Sequence, residues 1–381
     1  MMKKSGRFQQ FSTAKGVSRL QRYLFVILMV VICMSFYGNY LFLKILPSNK
    51  TSNESNGYDS VQNHPTRHFC QRKVPTFVCA HGGHTLHAPP NTRKSFDDAL
   101  ALGVDCVEID VALTKDRQLV VLHERELRHL LHLRDLELQA VIDADINRRA
   151  HSSPISQHRN VTQSHNAFSP PPSSPFSSIH FSAQPLGQER ISKAQVGDFL
   201  LEDLRTLKWE LGERVLKVEE AVRQTMQDAL ITLDLKTYNH PVSGKPQDVP
   251  ELAEAVMKLL YVTQCADCLV WAKDDGLVQL LKRLSPGQMM GHIAMNCTKD
   301  SSALHMDDIF RIQNTEVIGM HYDMVDEVVV RQIQNKGKVL YTWTVNSGEA
   351  LEKVLSAGVD AIVTNHPVET QVIIDEWLTR C

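Results

Sequence analysis

The chain has 381 residues, of which 43% are hydrophobic, and its formal net charge is −2. This composition is ordinary for a globular protein and gives enough length for one large domain or two average ones. The near-neutral balance gives no indication of a nucleic-acid partner.

The N-terminal segment, residues 1–23, is basic and contains no acidic side chain. An uncharged run of about twenty residues follows at 24–43, long enough to cross a bilayer as a helix. Because this run is long and lacks a small-residue cleavage site, residues 24–46 are predicted to be an uncleaved signal anchor. Basic flanks remain cytosolic, so the rest of the chain is expected to be lumenal or extracellular, at an endomembrane or the plasma membrane.

Glycosylation motifs and cysteines agree with this topology. Four Asn-x-Ser/Thr sequons begin at Asn49, Asn53, Asn160 and Asn296. Seven cysteines follow the predicted span and would lie in an oxidising compartment, where an odd number leaves at least one of them free. Cys79 and Cys106 are expected to be unpaired thiols in buried strands. A disulfide is expected to involve Cys265, Cys268 or Cys297.

Beyond a polar stalk at 47–73, short apolar runs alternate with amphipathic stretches through 74–381. One such stretch predicts a helix from Asn91, as its cap, to Leu102. About eight strand–helix repeats without a glycine-rich dinucleotide fingerprint predict a TIM (β/α)8 barrel, with a doubly wound open sheet as the alternative.

The region at about 135–192 interrupts this alternation. It is rich in Ser, Pro, Gln and His and has no apolar period. Such a segment cannot bury enough apolar surface to offset its ordering entropy. It is therefore predicted to be a disordered, solvated insertion in the barrel, and its histidines are not interpreted as a metal site.

Acidic side chains occur on strands that should form the barrel interior. In "VDCVEIDVAL" the two-residue period places Glu108 and Asp110 on the face opposite to the apolar side chains, and Asp234 is placed similarly in "LITLDLK". Neighbouring buried carboxylates repel each other unless a cation lies between them. Their hard oxygen ligands predict a Mg²⁺ or Ca²⁺ site.

Two histidines are predicted to end strands near these acids. "FVCAH" ends at His81, immediately before two glycines, and "QLVVLH" ends at His123. The catalytic groups of a barrel collect at the C-terminal ends of its strands. The two histidines and three carboxylates therefore predict a metal-assisted acid/base site.

The motifs "AHGG", "PPNTRKSFDDALALGVDCVEIDVALTKDRQLVVLHE" and "YTWTVN…LSAGVDAIVTNHP" resemble, in order, those of the glycerophosphodiester phosphodiesterase family. The resemblance covers about 75–375, and "CAHGG", "DLK" and "VWAK" are similar to a membrane-anchored plant subgroup. It implies a TIM barrel that hydrolyses small-molecule glycerophosphodiesters, such as glycerophosphocholine, to glycerol 3-phosphate and an alcohol. Alternatives are a lysophospholipase D that acts on membrane lysolipids and a non-catalytic protein that binds phosphodiesters.

The resemblance also implies roles for individual residues. His81 and His123 match the two acid/base histidines, and Glu108 and Asp110 match the metal-binding pair. Asp234 stands where the family usually has glutamate. Lys236 matches the family lysine, and Trp343 matches the aromatic residue at the mouth of the site.

The sequence departs from the family pattern at three positions. Gly82 replaces the arginine that follows the first histidine, Pro90 replaces a glutamate, and Glu124 replaces the aspartate after the second histidine. The missing arginine would grip phosphate oxygens in a bidentate manner. Lys273, at the end of "CLVWAK", is predicted to supply a substitute cation; alternatively, it pairs with Asp274 or Asp275 in solvent.

Overall fold

The computed structural model describes residues 67–70, 74–151, 184–295 and 309–381. The predicted basic arm, the predicted span at 24–46 and the four sequons lie outside these residues. Within the described ranges, no helix has both the length and the apolar character needed to cross a bilayer. The signal anchor therefore remains a prediction from the sequence.

Eight parallel strands form a closed barrel, because β1 pairs with β2 on one side and with β10 on the other. The strands are β1 (Phe77–His81), β2 (Cys106–Leu113), β3 (Leu119–Val121), β4 (Leu216–Lys217), β5 (Leu230–Lys236), β6 (Leu269–Ala272), β7 (Met290–Ala294), β8 (Val317–His321), β9 (Val339–Trp343) and β10 (Ala361–Thr364). Strands β3 and β4 are antiparallel additions outside the barrel. This closure confirms the predicted barrel and excludes the open doubly wound sheet.

Helices surround the barrel. They are α1 (Arg67–Cys70), α2 (Arg93–Ala101), α3 (Glu124–His151), α4 (Gln188–Lys193), α5 (Leu201–Thr206), α6 (Val218–Thr225), α7 (Val249–Thr263), α8 (Asp275–Leu284), α9 (Glu327–Asn335), α10 (Gly348–Ala357) and α11 (Pro367–Thr379). Between helices and strands, Phe96 of α2 and Val222 of α6 share one fully buried core with Val107 and Ile109 of β2. Burial of an aromatic side chain such as Phe96 stabilises the fold by about 1.5–3 kcal/mol.

The second predicted histidine strand is not part of the barrel. Strand β3 ends at Val121 and runs antiparallel to β2, with Val121 opposite Val111. His123 lies just before α3 rather than at the end of a barrel strand. His123 therefore follows an antiparallel strand outside the barrel, whereas His81 ends the barrel strand β1. Both side chains nevertheless line the same pocket.

The helix after β1 begins later than the sequence predicted. Thr92, not Asn91, is its N-cap, and the Thr92 side chain accepts a hydrogen bond from the Ser95 backbone N–H. Asn91 has a left-handed backbone with φ 63°. This conformation, which asparagine tolerates better than most residues, frees its side chain for contacts inside the barrel.

The ends of the predicted insertion at about 135–192 are ordered. Helix α3 continues to His151, and α4 covers Gln188–Lys193. Residues 152–183 lie outside the described residues. The prediction of disorder was therefore wrong for both ends of this region. The sequence did not reveal the continuation of α3 because that part of the helix is mostly polar and has no apolar period.

Three disulfides connect the described cysteines: Cys70–Cys381, Cys79–Cys106 and Cys265–Cys268. The pairing of Cys265 with Cys268 confirms the predicted involvement of this motif. The prediction that Cys79 and Cys106 are free thiols was wrong. Strands β1 and β2 place these two residues directly opposite each other, which is visible only when the barrel closes.

Candidate active site

The three predicted metal ligands converge at one end of the barrel. Asp110 of β2 lies opposite Asp234 of β5, and Glu108 precedes Asp110 on the same face. All three are buried, and one carboxylate oxygen from each lies within 4.8 Å of the other two. Glu108 Oε2 and Asp234 Oδ1 have no hydrogen-bond partner among the described residues. Buried, unpartnered hard oxygens fit a divalent cation such as Mg²⁺ or Ca²⁺.

One lysine compensates part of this negative charge. Lys236 Nζ lies 2.8 Å from Asp110 Oδ1 and also contacts the Asp234 carboxylate. Burial opposes the charge of Lys236, but Asp110, Asp234 and Glu108 outweigh it and raise the pKa of this lysine. Burial likewise disfavours the Asp110 carboxylate, yet Lys236 and the two histidines lower its pKa.

A single lysine does not neutralise three carboxylates. Burial, followed by repulsion from Asp234 and Asp110, raises the pKa of Glu108 well above its ordinary value. This is the repulsion that the sequence predicted for adjacent inward-facing acids. The charge distribution leaves room for further positive charge beside Glu108.

Two histidines line the pocket beside the acids. His81 Nδ1 lies 2.6 Å from Asn365 Oδ1, an acceptor, so Nδ1 carries the proton and Nε2 faces Glu108 Oε2 at 3.9 Å. His123 Nδ1 accepts the Arg125 backbone N–H at 3.2 Å. Burial is the largest cause that lowers the pKa of His81 and that of His123, the latter to about 3. Neutral imidazoles can accept or relay protons.

Asn91 connects the predicted metal ligand Asp110 to Glu126, the residue that contacts His123. Its Nδ2 donates to Asp110 Oδ2 at 2.7 Å and to Glu126 Oε2 at 3.2 Å, and its Oδ1 accepts the Asp110 backbone N–H at 3.2 Å. Glu126 Oε2 also accepts the backbone N–H of His123 at 2.8 Å. Asn91 thus orients a metal ligand, whereas the sequence interpretation assigned it only to a helix cap.

Seven of the eight predicted site residues line one pocket: His81, Glu108, His123, Asp234, Lys236, Lys273 and Trp343. Asp110, the eighth, lies directly behind it in contact with Lys236. The structure therefore brings the predicted set together around one space. Arg125 also lines this pocket and was missed by the sequence analysis.

Lys273 lies at the mouth of this pocket. Its ammonium is 5.6 Å from the centroid of the Trp343 ring. Asp274 caps α8, and Asp275 Oδ2 accepts from Arg311 Nε at 2.7 Å, so neither acid pairs with Lys273. Although the residue is exposed overall, desolvation of the ammonium, followed by repulsion from Lys236, lowers the pKa of Lys273. These contacts favour a cation at the site over a lysine paired in solvent.

Arg125 is a second cation beside the acids. Its guanidinium contacts Glu126 Oε1 at 3.1 Å and lies 3.8 Å from Asp110 Oδ2. Gly82, where the resembling family has arginine, has φ 65°, and a Cβ there would lie 3.0 Å from Pro90 Cβ. An arginine at position 82 would be strained, so the cations of this site come from other positions.

The fold is an eight-stranded barrel whose strand ends bring together two histidines and a carboxylate cluster that can hold a cation. Residues 81–369 match the glycerophosphoryl diester phosphodiesterase family. This match extends over more than half of the chain. The chain belongs to this family.

Individual relatives agree. The chain is 26% identical over 312 residues to the glycerophosphodiester phosphodiesterase GDPD4 of Arabidopsis thaliana, covering 81% of this chain and 76% of that protein. Its fold is similar to that of a putative glycerophosphoryl diester phosphodiesterase from Silicibacter pomeroyi, with TM-score 0.54, 18% identity and coverage of 82% and 97% of the two chains. An Oleispira antarctica phosphodiesterase solved with the product sn-glycerol-3-phosphate matches with TM-score 0.53, 18% identity and coverage of 79% and 97%.

Proposed function

We propose that this protein hydrolyses glycerophosphodiesters, such as glycerophosphocholine, to glycerol 3-phosphate and a free alcohol in a metal-dependent reaction. The observation that carries this proposal is the pair of buried, unpartnered oxygens on Glu108 and Asp234, in one pocket with two histidines whose pKa values are lowered by burial. A divalent ion on Glu108, Asp110 and Asp234 would supply positive charge to the phosphate oxygens.

The side chains supply the proton transfers. Water adds to phosphorus, the bond from phosphorus to the alcohol oxygen breaks, and the alcohol leaves with a proton. One of His81 and His123 removes a proton from the water, and the other protonates the leaving oxygen. Asn365 holds His81 in one tautomer, and the backbone of Arg125 holds His123 through its Nδ1.

Cations and an aromatic ring then position the diester. Lys273 and Arg125 line the pocket on the side open to solvent, where their charge can meet the phosphate. Lys236 is already held by Asp110 and Asp234, so its role is to position these carboxylates and to limit their repulsion. Trp343 forms a wall of the pocket and holds the Lys273 ammonium over its ring.

Loss of the metal or of a histidine tests this function. With glycerophosphocholine as substrate, EDTA should abolish the release of glycerol 3-phosphate, and added divalent ion should restore it. His81→Ala should be inactive with metal present. Full activity in EDTA or in His81→Ala would exclude the proposed mechanism. Release of choline from lysophosphatidylcholine alone would indicate a lysophospholipase D, and binding without turnover would indicate a non-catalytic protein.

We also propose that the barrel lies in the lumen or outside the cell, tethered by residues 24–46. The three disulfides support this placement because such bonds persist in oxidising compartments. Glycosidase treatment of the expressed full chain should increase its gel mobility, and Asn49→Gln with Asn53→Gln should reduce that shift. No shift in any form would contradict the proposal.

A further inference from the structure

A second pocket continues from the active site. The two pockets share a wall formed by His123, Arg125, Lys236 and Lys273. Beyond this wall, the second pocket is lined by side chains that the proposed reaction does not use, including Arg128, Lys193, Gln195, Asn239 and His240. This second pocket is called the basic annex below. A diester bound at the carboxylates can extend one of its two alcohol arms across the shared wall into the annex.

The basic annex carries an excess of positive charge. Arg128 lines the annex, and the positive charge of its guanidinium acts on the Glu124 carboxyl of the same pocket. Lys193 contributes a second cation, although Glu189 shares its ammonium at 2.9 Å. The acids that line the annex are Glu124, whose pKa is raised by burial, and Asp274, which caps α8. With Arg125 and Lys273 in the shared wall, cations outnumber anions.

Polar side chains in the annex are held in place by hydrogen bonds to one another and to the backbone. Gln195 and Asn239 bind each other, with Gln195 Nε2 donating to the Asn239 carbonyl at 2.7 Å and the Asn239 backbone N–H donating to Gln195 Oε1 at 2.9 Å. His240 Nδ1 accepts the backbone N–H of Val242 at 3.3 Å and that of Ser243 at 3.2 Å. Because Nδ1 accepts these bonds, the ring N–H of His240 lies on Nε2, which is a donor.

These features fit an anion better than a quaternary ammonium group. Recognition of an ammonium ligand generally uses aromatic faces. No Phe, Tyr or Trp is among the described residues that line the annex. Arginine and lysine side chains, here joined by the Nε2–H donor of His240, are instead the groups that bind phosphate.

We infer that the basic annex is a head-group site, and that it selects glycerophosphodiesters whose alcohol carries an additional phosphate. This inference rests on the proposed function, because it assumes that the phosphodiester itself lies at Glu108, Asp110 and Asp234. It specifies the substrate class more narrowly than the family does.

Binding and turnover, measured separately, test the inference. Three diesters serve as probes: glycerophosphoinositol 4-phosphate with an anionic head group, glycerophosphoglycerol with a neutral one and glycerophosphocholine with a cationic one. Calorimetry on the full-length His81→Ala variant, with Mg²⁺ or Ca²⁺ present so that the diester binds but is not cleaved, should give about tenfold tighter binding of the phosphorylated diester than of glycerophosphocholine, with the neutral diester between them. In the active protein with the same ion, kcat/KM should follow the same order through KM.

A pair of arginine variants locates the effect. Arg128→Gln should reduce the preference for the phosphorylated diester about fivefold or more. Arg283→Gln, an exposed arginine in the last turn of α8 that does not line the annex, is the matched control and should leave the preference unchanged. Thermal unfolding of both variants checks that each is folded.

Each outcome has a distinct meaning. Equal binding of the three diesters, or tighter binding of glycerophosphocholine, overturns the inference. A preference that Arg128→Gln and Arg283→Gln leave equally intact overturns the assignment to the annex. Turnover without head-group preference refutes the annex alone, whereas preferential binding without any turnover supports the annex and refutes the proposed reaction.

Discussion

Acidic side chains occur at both ends of the barrel, but they make different contacts. At the N-terminal end, Asp360 accepts the Leu340 backbone N–H and Asp105 accepts the Val78 backbone N–H, each at 2.8 Å. At the C-terminal end, Glu108 and Asp234 keep buried oxygens without any hydrogen-bond partner among the described residues. The N-terminal acids have hydrogen-bond donors from the chain itself, whereas the buried oxygens of the C-terminal acids are left for a ligand such as a cation.

The difference separates structural acids from acids for chemistry. Asp105 and Asp360 immediately precede β2 and β10. Each accepts a backbone N–H from the second residue of a neighbouring strand, Val78 of β1 or Leu340 of β9. Such bonds fix the strands at the N-terminal end of the barrel and contribute about 1.5–3 kcal/mol each, as for other bonds to charged groups. The C-terminal acids are placed at a cost in folding energy, which a bound cation can offset.

The largest expected effect is on catalysis by the C-terminal acids. Glu108→Gln should lower kcat/KM for glycerophosphocholine about 1,000-fold, because a carboxylate ligand is lost where phosphate charge must be stabilised. Its Tm in EDTA should not fall below that of the parent, since burial disfavours the Glu108 charge. Glycerol 3-phosphate release and thermal unfolding measure the two effects. A Glu108→Gln protein that loses stability and keeps activity would show that Glu108 is a structural acid and not a catalytic one.

The N-terminal acids should show the opposite result. Asp360→Ala should lower the free energy of unfolding by about 2 kcal/mol, because the Leu340 N–H loses its partner. Its kcat/KM below the unfolding temperature should remain within about twofold of the parent, an effect below 0.5 kcal/mol. Denaturant titration and the same activity assay provide the measurements. Strong loss of activity in a folded Asp360→Ala protein would show that the two ends are not independent.

Strand periodicity was enough to predict the carboxylates. The two-residue alternation in β2 and β5 identified Glu108, Asp110 and Asp234 as inward-facing, and the structure places all three together. Arg125 was missed because it lies in the first turn of α3, where direction depends on the β2–β3 hairpin. The sequence pattern did not show that β3 turns back antiparallel to β2, and this hairpin sets where α3 begins.

Contacts made by barrel closure were also invisible in the sequence. Cys79 and Cys106 face each other only because β1 pairs with β2 in that register. Cys70 and Cys381 are 311 residues apart, and only the folded chain brings them together. Asn91 was predicted to be a helix cap because asparagine often occupies that position. In the structure its backbone is left-handed and its side-chain amide donates to Asp110.

A smaller effect is expected from the cation at the mouth. Lys273→Ala should lower kcat/KM about tenfold, a loss of roughly 1.4 kcal/mol of transition-state stabilisation, with metal affinity unchanged. Lys282→Ala is not a suitable control because Lys282 is buried and paired with Glu316, so Lys258→Ala, at an exposed lysine, serves instead. Activity equal to the parent would show that Lys273 does not act on the phosphate. Gly82→Arg is not expected to rescue the loss, given the strain at position 82.

The smallest expected effect is a pH dependence of stability at the C-terminal end. Burial, followed by repulsion from Asp110, raises the pKa of Glu126 to about 7 in the folded, metal-free protein. The unfolded chain releases this proton near its ordinary pKa of about 4.5. Between these values the folded state holds the additional proton, so stability falls as pH rises.

The Glu126→Gln variant cannot release this proton and should lack that part of the slope. In EDTA, the free energy of unfolding of the parent should fall relative to the variant as pH rises from 5 to about 7, by at most about 1.4 kcal/mol per pH unit, and should level off above that. Urea titrations across this pH range measure the difference. Added divalent ion should reduce it, because a cation near Asp110 favours ionised Glu126 as well. Parallel curves for parent and variant would show that Glu126 is ionised throughout and that the excess negative charge is confined to Glu108, Asp110 and Asp234.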